Sequence, residues 1–185
     1  MRKLVYGINL TVDGCCDHTK GISDTEVHDY FTRVLRQADV LVYGRKTYEL
    51  MVPFWPDLAK NHSGKDQAAI DFAQAFQAVP KIVVFSQSLE IVSGSKTEIF
   101  RGGLKEEILK LKQLPGKNIL TGGVALPLQL VELGLVDEFN IVVHPVVAGK
   151  GRRLFDGLDI KEQQKLKLVE TKTFKSGVIA LRYLK

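Results

Sequence analysis

Apolar positions along the chain follow two alternating rhythms. Leu4-Val5-Tyr6-Gly7-Ile8-Asn9-Leu10 reads as a strand, and Val12-Asp13-Gly14 ends it with turn chemistry. Ser23-Asp24-Thr25-Glu26 has the spacing of a capping box, and behind it Val27, Phe31, Val34, Leu35 and Ala38 recur at helical intervals. Val40-Leu41-Val42-Tyr43 is apolar throughout, as expected of a strand covered on both faces. Gly44 ends that run, and a second helical pattern is predicted from near Thr47. Asp66 to Phe76 is helical, Lys81 to Phe85 a buried strand and Thr97 to Phe100 a weaker one. Leu104, Ile108 and Leu111 mark an amphipathic helix. Asn118-Ile119-Leu120 is a strand, and Val124 to Leu133 a helix closed by Gly134.

From Asp137 the grammar changes. Phe139 to His144 is a strand, and no long helix follows the loop around Gly149-Lys150-Gly151. Leu166 to Phe174 and Val178 to Leu184 flank Lys175-Ser176-Gly177 as an antiparallel hairpin. Strands alternating with helices, then a strand-rich end, predict an α/β fold with a mainly parallel central sheet and an antiparallel C-terminal hairpin. No linker, repeat or low-complexity segment interrupts residues 1–185, which predicts one domain.

Composition narrows the function classes. Of 185 residues, 45% are apolar and 25% charged, enough for a full core without staples. No signal-peptide pattern or uninterrupted apolar span is present, and the two cysteines, Cys15 and Cys16, are adjacent. Neighbouring thiols offer neither a disulfide framework nor zinc spacing, so the expectation is a cytoplasmic protein without metal. The net charge of +5 comes from scattered lysines, without the runs or aromatic signatures of nucleic-acid binding.

Ligands of open α/β sheets bind beyond the carboxyl ends of parallel strands. Three such ends carry glycine or small polar residues: Tyr43-Gly44-Arg45-Lys46-Thr47, Phe85-Ser86-Gln87-Ser88 and Leu120-Thr121-Gly122-Gly123-Val124. Glycine admits a phosphate to the backbone, a helix start offers free N–H groups, and Arg45 and Lys46 supply charge. Three such turns on one edge suit a long ligand with several phosphates, such as a dinucleotide. The spacing is neither GxGxxG nor GxxxxGK[ST].

Gly44-Arg45-Lys46-Thr47-Tyr48-Glu49 resembles the cofactor turn of the dihydrofolate reductase superfamily, and Thr121-Gly122-Gly123 its double-glycine turn. Lys81 to Gln87 is similar to its later strand and serine-containing turn. A closer resemblance is to the reductase domain of the bifunctional deaminase-reductase of riboflavin biosynthesis and its stand-alone relatives. It rests on Thr11-Val12-Asp13-Gly14, Gly134-Leu135-Val136-Asp137-Glu138, and Pro145 to Gly151 running on to Leu154-Phe155. It spans essentially the whole chain, without the zinc-binding pattern of the deaminase half.

The resemblance implies a three-layer α/β/α dihydrofolate reductase-like fold and an NADPH-dependent reductase acting on a small heteroaromatic or ribosylamino-pyrimidine substrate. It assigns phosphate contacts to Gly44, Arg45, Lys46 and Thr47, and the adenosine end to Ser86, Gln87 and Ser88. Thr121, Gly122, Gly123 and Val124 would meet the pyrophosphate, and the loop from Thr11 to Gly14 would cover the nicotinamide. Phe31 and Trp55 are the expected substrate contacts, Trp55 closing from a Pro53-Phe54-Trp55-Pro56 loop or else anchoring that loop to the core. Protonation after hydride transfer calls for an acid. The carboxylate position of folate reductases falls on His28 or on Val27, depending on the residues aligned. Asp29 beside them and Asp13 are the alternatives. A homodimer is implied as well. The competing reading is a nucleotide- or flavin-binding protein without turnover.

Overall fold

The computed structural model describes residues 1–22, 24–62, 66–90 and 96–185. In chain order these form β1 (Leu4–Thr11), α1 (Thr25–Arg36), β2 (Ala38–Gly44), α2 (Arg45–Asn61), α3 (Gln67–Ala78), β3 (Lys81–Phe85) and β4 (Thr97–Phe100). There follow α4 (Leu104–Gln113), β5 (Asn118–Thr121), α5 (Ala125–Glu132), β6 (Glu138–His144), β7 (Lys167–Thr173) and β8 (Ile179–Leu184). The strands make one sheet in the order β4-β3-β2-β5-β1-β6-β8-β7. The first six of these are parallel, β8 runs antiparallel to β6, and β7 antiparallel to β8.

Strand pleating sends alternate side chains to opposite layers. Leu4, Tyr6, Ile8, Val40 and Val42 pack with Ile108 and Leu111 of α4 and with Leu126, Leu130 and Val131 of α5. Leu41, Tyr43, Ile82 and Val84 pack on the other face against Leu35 of α1, Tyr48 and Val52 of α2 and Phe76 of α3. Helices therefore cover both faces, and the wholly apolar Val40–Tyr43 run is buried at each of its four positions. This is the three-layer α/β/α arrangement.

Two local expectations are corrected. The cap of α1 is Asp24, whose carboxylate accepts from Glu26 N at 2.7 Å and Val27 N at 3.4 Å. Ser23, the expected cap, lies outside the described residues. Glu26 takes the N–H of Lys175 at 2.8 Å instead of reaching back. The Pro53-Phe54-Trp55-Pro56 loop is also helix: α2 starts at Arg45 and continues through both prolines. Each proline deletes one ladder hydrogen bond. The Trp55 ring offsets that loss by packing on Phe72 of α3, ring centroids 4.5 Å apart.

A buried polar chain ties α1 to the sheet. Tyr30 donates its hydroxyl hydrogen to Asn140 Oδ1 at 2.6 Å, and Asn140 Nδ2 donates to Glu138 Oε1 at 3.3 Å. Arg182 of β8 closes on the same carboxylate at 2.8 Å. Burial pushes the Glu138 pKa up, but Arg182, Asn140 and Lys3 outweigh it and hold the net shift downward. The antiparallel pair is thereby joined to β6 by charge as well as by backbone. Replacing Tyr30 by Phe leaves Asn140 Oδ1 unsatisfied and is expected to cost about 1–3 kcal/mol. Urea unfolding of the two proteins measures this directly.

Candidate functional site

β1 pairs with β6 at seven positions, Val5–Glu138 to Thr11–His144, but with β5 at only three, ending at Tyr6–Thr121. After Tyr6 the two strands part, and a groove opens at the carboxyl edge between Gly7 and Gly122. A Cβ on Gly122 would lie 3.6 Å from Gly7 O and 3.8 Å from a Tyr43 ring carbon. A Cβ on Gly7 would lie 3.1 Å from the Phe31 ring. Both glycines thus keep the groove open, and Phe31 lines its α1 side. The cavity of about 200 Å³ lined by Arg2, Lys112 and Asp137 is at the opposite edge of the sheet.

Beside the groove the β2–α2 and β5–α5 turns interlock. Gly123 has φ +82, and a Cβ there would overlap Thr47 Oγ1. Tyr6 donates its hydroxyl hydrogen to Gly123 O at 2.7 Å, and Thr121 Oγ1 donates to Val42 O at 2.8 Å. The Thr121 hydroxyl is therefore committed to holding β5 on β2. Gly44 and Val124 are the N-caps of α2 and α5, and Gly103 that of α4; none of the three helices has a side-chain cap. Helices α1 and α3 do have one, from Asp24 and Asp66. Open helix starts direct unsatisfied N–H groups and positive dipole ends at the edge. Arg45 and Lys46 are exposed there, Arg45 within 3.3 Å of Glu49. Cations at a helix start oppose the dipole unless an anion lies between them.

The β3 turn is further along the same edge. Ser86 Oγ accepts from Ser88 N at 3.2 Å and Leu89 N at 2.9 Å, which leaves its O–H free to donate. Gln87 and Ser88 are exposed. Arg101, just past β4, donates to Gln87 O at 2.8 Å and Leu89 O at 3.0 Å, and the Gln87 amide returns a bond to Arg101 O.

The loop after β1 is clamped to the loop after β6. Thr11 Oγ1 donates to Asp13 Oδ1 at 2.5 Å, and Ala148 N and Gly149 N donate to the same carboxylate at 3.0 and 2.9 Å. Arg153 reaches Asp13 Oδ2 at 3.4 Å, and Gly14 O accepts from Leu154 N. The Thr11 hydroxyl and the two backbone N–H groups hold Asp13 well below the usual carboxylate range. Asp13, expected as an acid, has both carboxylate oxygens engaged within the chain. It is the loop's tether. Cys15 is buried beneath this loop, and Cys16 Sγ contacts Arg152 O.

The α1 candidates point elsewhere. Val27 is buried among Val142, Val178 and Ala180. His28 packs toward α2 and α3, its ring 6.1 Å from Trp55 and 6.3 Å from Phe72, with Nδ1 buried and unpartnered among the described residues. Asp29 is exposed. The structure brings neither His28 nor Asp29 together with Gly7 or Gly122. Trp55 belongs to the interhelical packing, its Nε1 3.3 Å from Met51 Sδ. Of the two roles expected for it, this packing is the anchoring one.

Residues 2–180 match the family described as the RibD C-terminal domain. The chain belongs to that family. It is 34% identical over 186 residues to the uncharacterized protein YyaP of Bacillus subtilis (strain 168), covering 98% of this chain and 94% of that one. Among solved structures, a pyrimidine reductase-like protein from Corynebacterium diphtheriae superposes with a TM-score of 0.67 at 16% identity, covering 99% of this chain and 91% of that one. A diaminohydroxyphosphoribosylaminopyrimidine deaminase/5-amino-6-(5-phosphoribosylamino)uracil reductase from Thermotoga maritima gives 0.68 at 19% identity. There the match covers 99% of this chain and 56% of the bifunctional one. These structural likenesses establish the fold, a three-layer α/β/α domain shared with those reductase-like proteins.

In this RibD C-terminal domain, the sequence did not single out Arg101 or Asn9, while His144 was legible as the residue ending a strand before Pro145, facing the site or serving the structure. Arg101 was legible only as a cation before Gly102-Gly103 and a helix start. Asn9 is exposed in the middle of β1, and buried His144 accepts from Ile22 N at Nδ1 and meets Asn9 Oδ1 at Nε2. Burial lowers the His144 pKa below its ordinary 6.5, with Asp24 pulling weakly the other way. The folded ring thus holds its proton less tightly than the unfolded one. Its contribution to stability is whole above about pH 6.5 and is lost as pH falls toward the lower folded value. Urea midpoints are expected to drop between about pH 7 and pH 5, and to drop less in His144→Phe.

Proposed function

We propose that this protein is an NADPH-dependent oxidoreductase that transfers a hydride to a small heteroaromatic, ribosylamino-pyrimidine-like or pterin-like substrate in the cytoplasm. The observation that carries the reading is the groove where β5 leaves β1, bordered by Gly7 and Gly122 and flanked by the uncapped start of α2 with Arg45 and Lys46. Its residues fit a dinucleotide. The glycines leave room for a planar ring and a close backbone approach, while Gly44, Thr47, Gly123 and Val124 frame the phosphates. Ser86, Gln87 and Ser88, with Arg101, face the adenosine end. The bound cofactor would supply the hydride.

The chain's own residues orient and enclose. Phe31 backs the ring from α1, and the loop from Thr11 to Gly14, tethered by Asp13, forms a fixed rim. Preorganised walls of this kind lower the entropy cost of alignment. Val27 is buried in the core and the His28 ring packs toward Trp55 and Phe72, so in this reading the proton comes from solvent through the open groove. The reading includes a homodimer, for which β7 offers an edge strand exposed along nearly its whole length. The engagement of Asp13 within its own loop also favours a second reading, a nucleotide- or flavin-binding protein without turnover.

Titration calorimetry decides between these. Wild-type protein is expected to bind NADPH more tightly than NADH, and Arg45→Ala to weaken NADPH about ten- to hundredfold with little effect on NADH. Gly122→Ala would add a methyl in ordinary contact with Gly7 O at 3.6 Å, so it should narrow the groove and weaken NADPH binding at an unchanged unfolding midpoint. Folded protein that binds neither nucleotide overturns the reductase reading. Binding without NADPH oxidation on any pterin or pyrimidine supports the second.

A further inference from the structure

His144 ends β6 opposite Thr11 of β1, and its ring is buried. Three contacts fix it. Ile22 N–H donates to Nδ1 at 3.3 Å, Nε2 lies 3.1 Å from Asn9 Oδ1, and Gly21 sits on the ring so closely that a Cβ there would be 3.3 Å from Cε1. A backbone N–H only donates, so Nδ1 carries the lone pair. In a neutral imidazole the one proton is then on Nε2. An Nε2–H requires an acceptor, and of the two ends of the Asn9 carboxamide only the oxygen provides it. The Asn9 NH2 group is therefore turned away from His144. It has no partner among the described residues, and Asn9 is exposed.

The place of that NH2 group gives it a use. Asn9 shares a strand face with Gly7, one pleat nearer the carboxyl edge, on the part of β1 that β5 no longer accompanies. We propose that Ile22, His144 and Asn9 form a relay that presents a hydrogen-bond donor to the groove, selecting a ligand ring with a carbonyl oxygen or unprotonated nitrogen at that point. Asn9 is the contacting residue, and His144 is a positioning residue that acts through it. A carbonyl acceptor is common to the carboxamide of nicotinamide and to the ring carbonyls of pyrimidines and pterins. The inference rests on the groove being the ligand site, as proposed above.

Two measurements test it. Long-range 1H–15N spectra of labelled wild-type protein near neutral pH should show His144 protonated at Nε2 and unprotonated at Nδ1. The opposite tautomer overturns the relay, whatever the protein binds. Wild type, Asn9→Leu and Asn9→Asp are then titrated with NADPH, with 2′-phospho-ADP-ribose, which lacks the nicotinamide, and with 5-amino-6-ribitylaminouracil in the presence of NADP+. A loss of about tenfold or more for NADPH but not for 2′-phospho-ADP-ribose makes nicotinamide the acceptor. A loss confined to the aminouracil makes it the substrate ring. Unchanged affinity of folded variants for every one of these that wild type binds overturns the proposal.

His144→Phe should weaken the same ligand as Asn9→Leu, and the double variant should be no weaker than Asn9→Leu alone. Additive losses would show that His144 acts only as packing, and the relay would fall. If wild type takes up no dinucleotide at all, the reductase reading fails by itself, and the tautomer still decides the relay.

Discussion

The carboxyl edge depends on how far β5 runs beside β1. Pairing stops at Tyr6–Thr121 because Gly122 and Gly123 turn the chain toward α5, while β6 stays with β1 to Thr11–His144. From Gly7 onward one side of β1 has backbone donors and acceptors with no strand to take them. Thr11 is served by loop backbone, its N–H donating to Cys15 O and its O accepting from Gly14 N, and groups not served in this way turn to water or a ligand. Moving the pairing two residues further would give them a strand and close the groove.

The two edges of the sheet are built on opposite principles. At the amino edge, charge is neutralised within the chain: Lys112 lies 2.6 Å from Asp137, Arg2 pairs with Asp39, and Arg182 and Lys3 share Glu138. At the carboxyl edge, three helix starts are uncapped and Lys46 has no acidic partner among the described residues. One edge is internally satisfied and the other is left incomplete. Sites for charged ligands arise at edges of the second kind.

The layers were legible because strands covered on both faces must be apolar throughout, and Val40–Tyr43 and Ile82–Val84 obey that rule. The three glycine-rich or polar turns were legible too, since their composition marks them locally. What periodicity could not carry was any relation between distant segments. Trp55 keeps α2 helical through two prolines by meeting Phe72, a contact invisible to local propensity. Asp13 looked like an acid until Ala148, Gly149 and Arg153 arrived around it, and Asn9 acquires its orientation from His144. The cap moved by one residue from the predicted serine because Asp24 also accepts from Ser176, on the far hairpin turn.

The tether at Asp13 has a further consequence, for the order in which the molecule assembles. Its partners Ala148 and Gly149 lie 135 and 136 positions away in the chain, among the longest closures in the fold. A contact of that span repays its loop-closure entropy only after the intervening elements have condensed. The rim over the groove therefore forms late, once β6 has docked on β1. Nascent or partly unfolded chains can hold much of the sheet while lacking a ligand site, so ligand binding reports on complete folding better than secondary-structure content does.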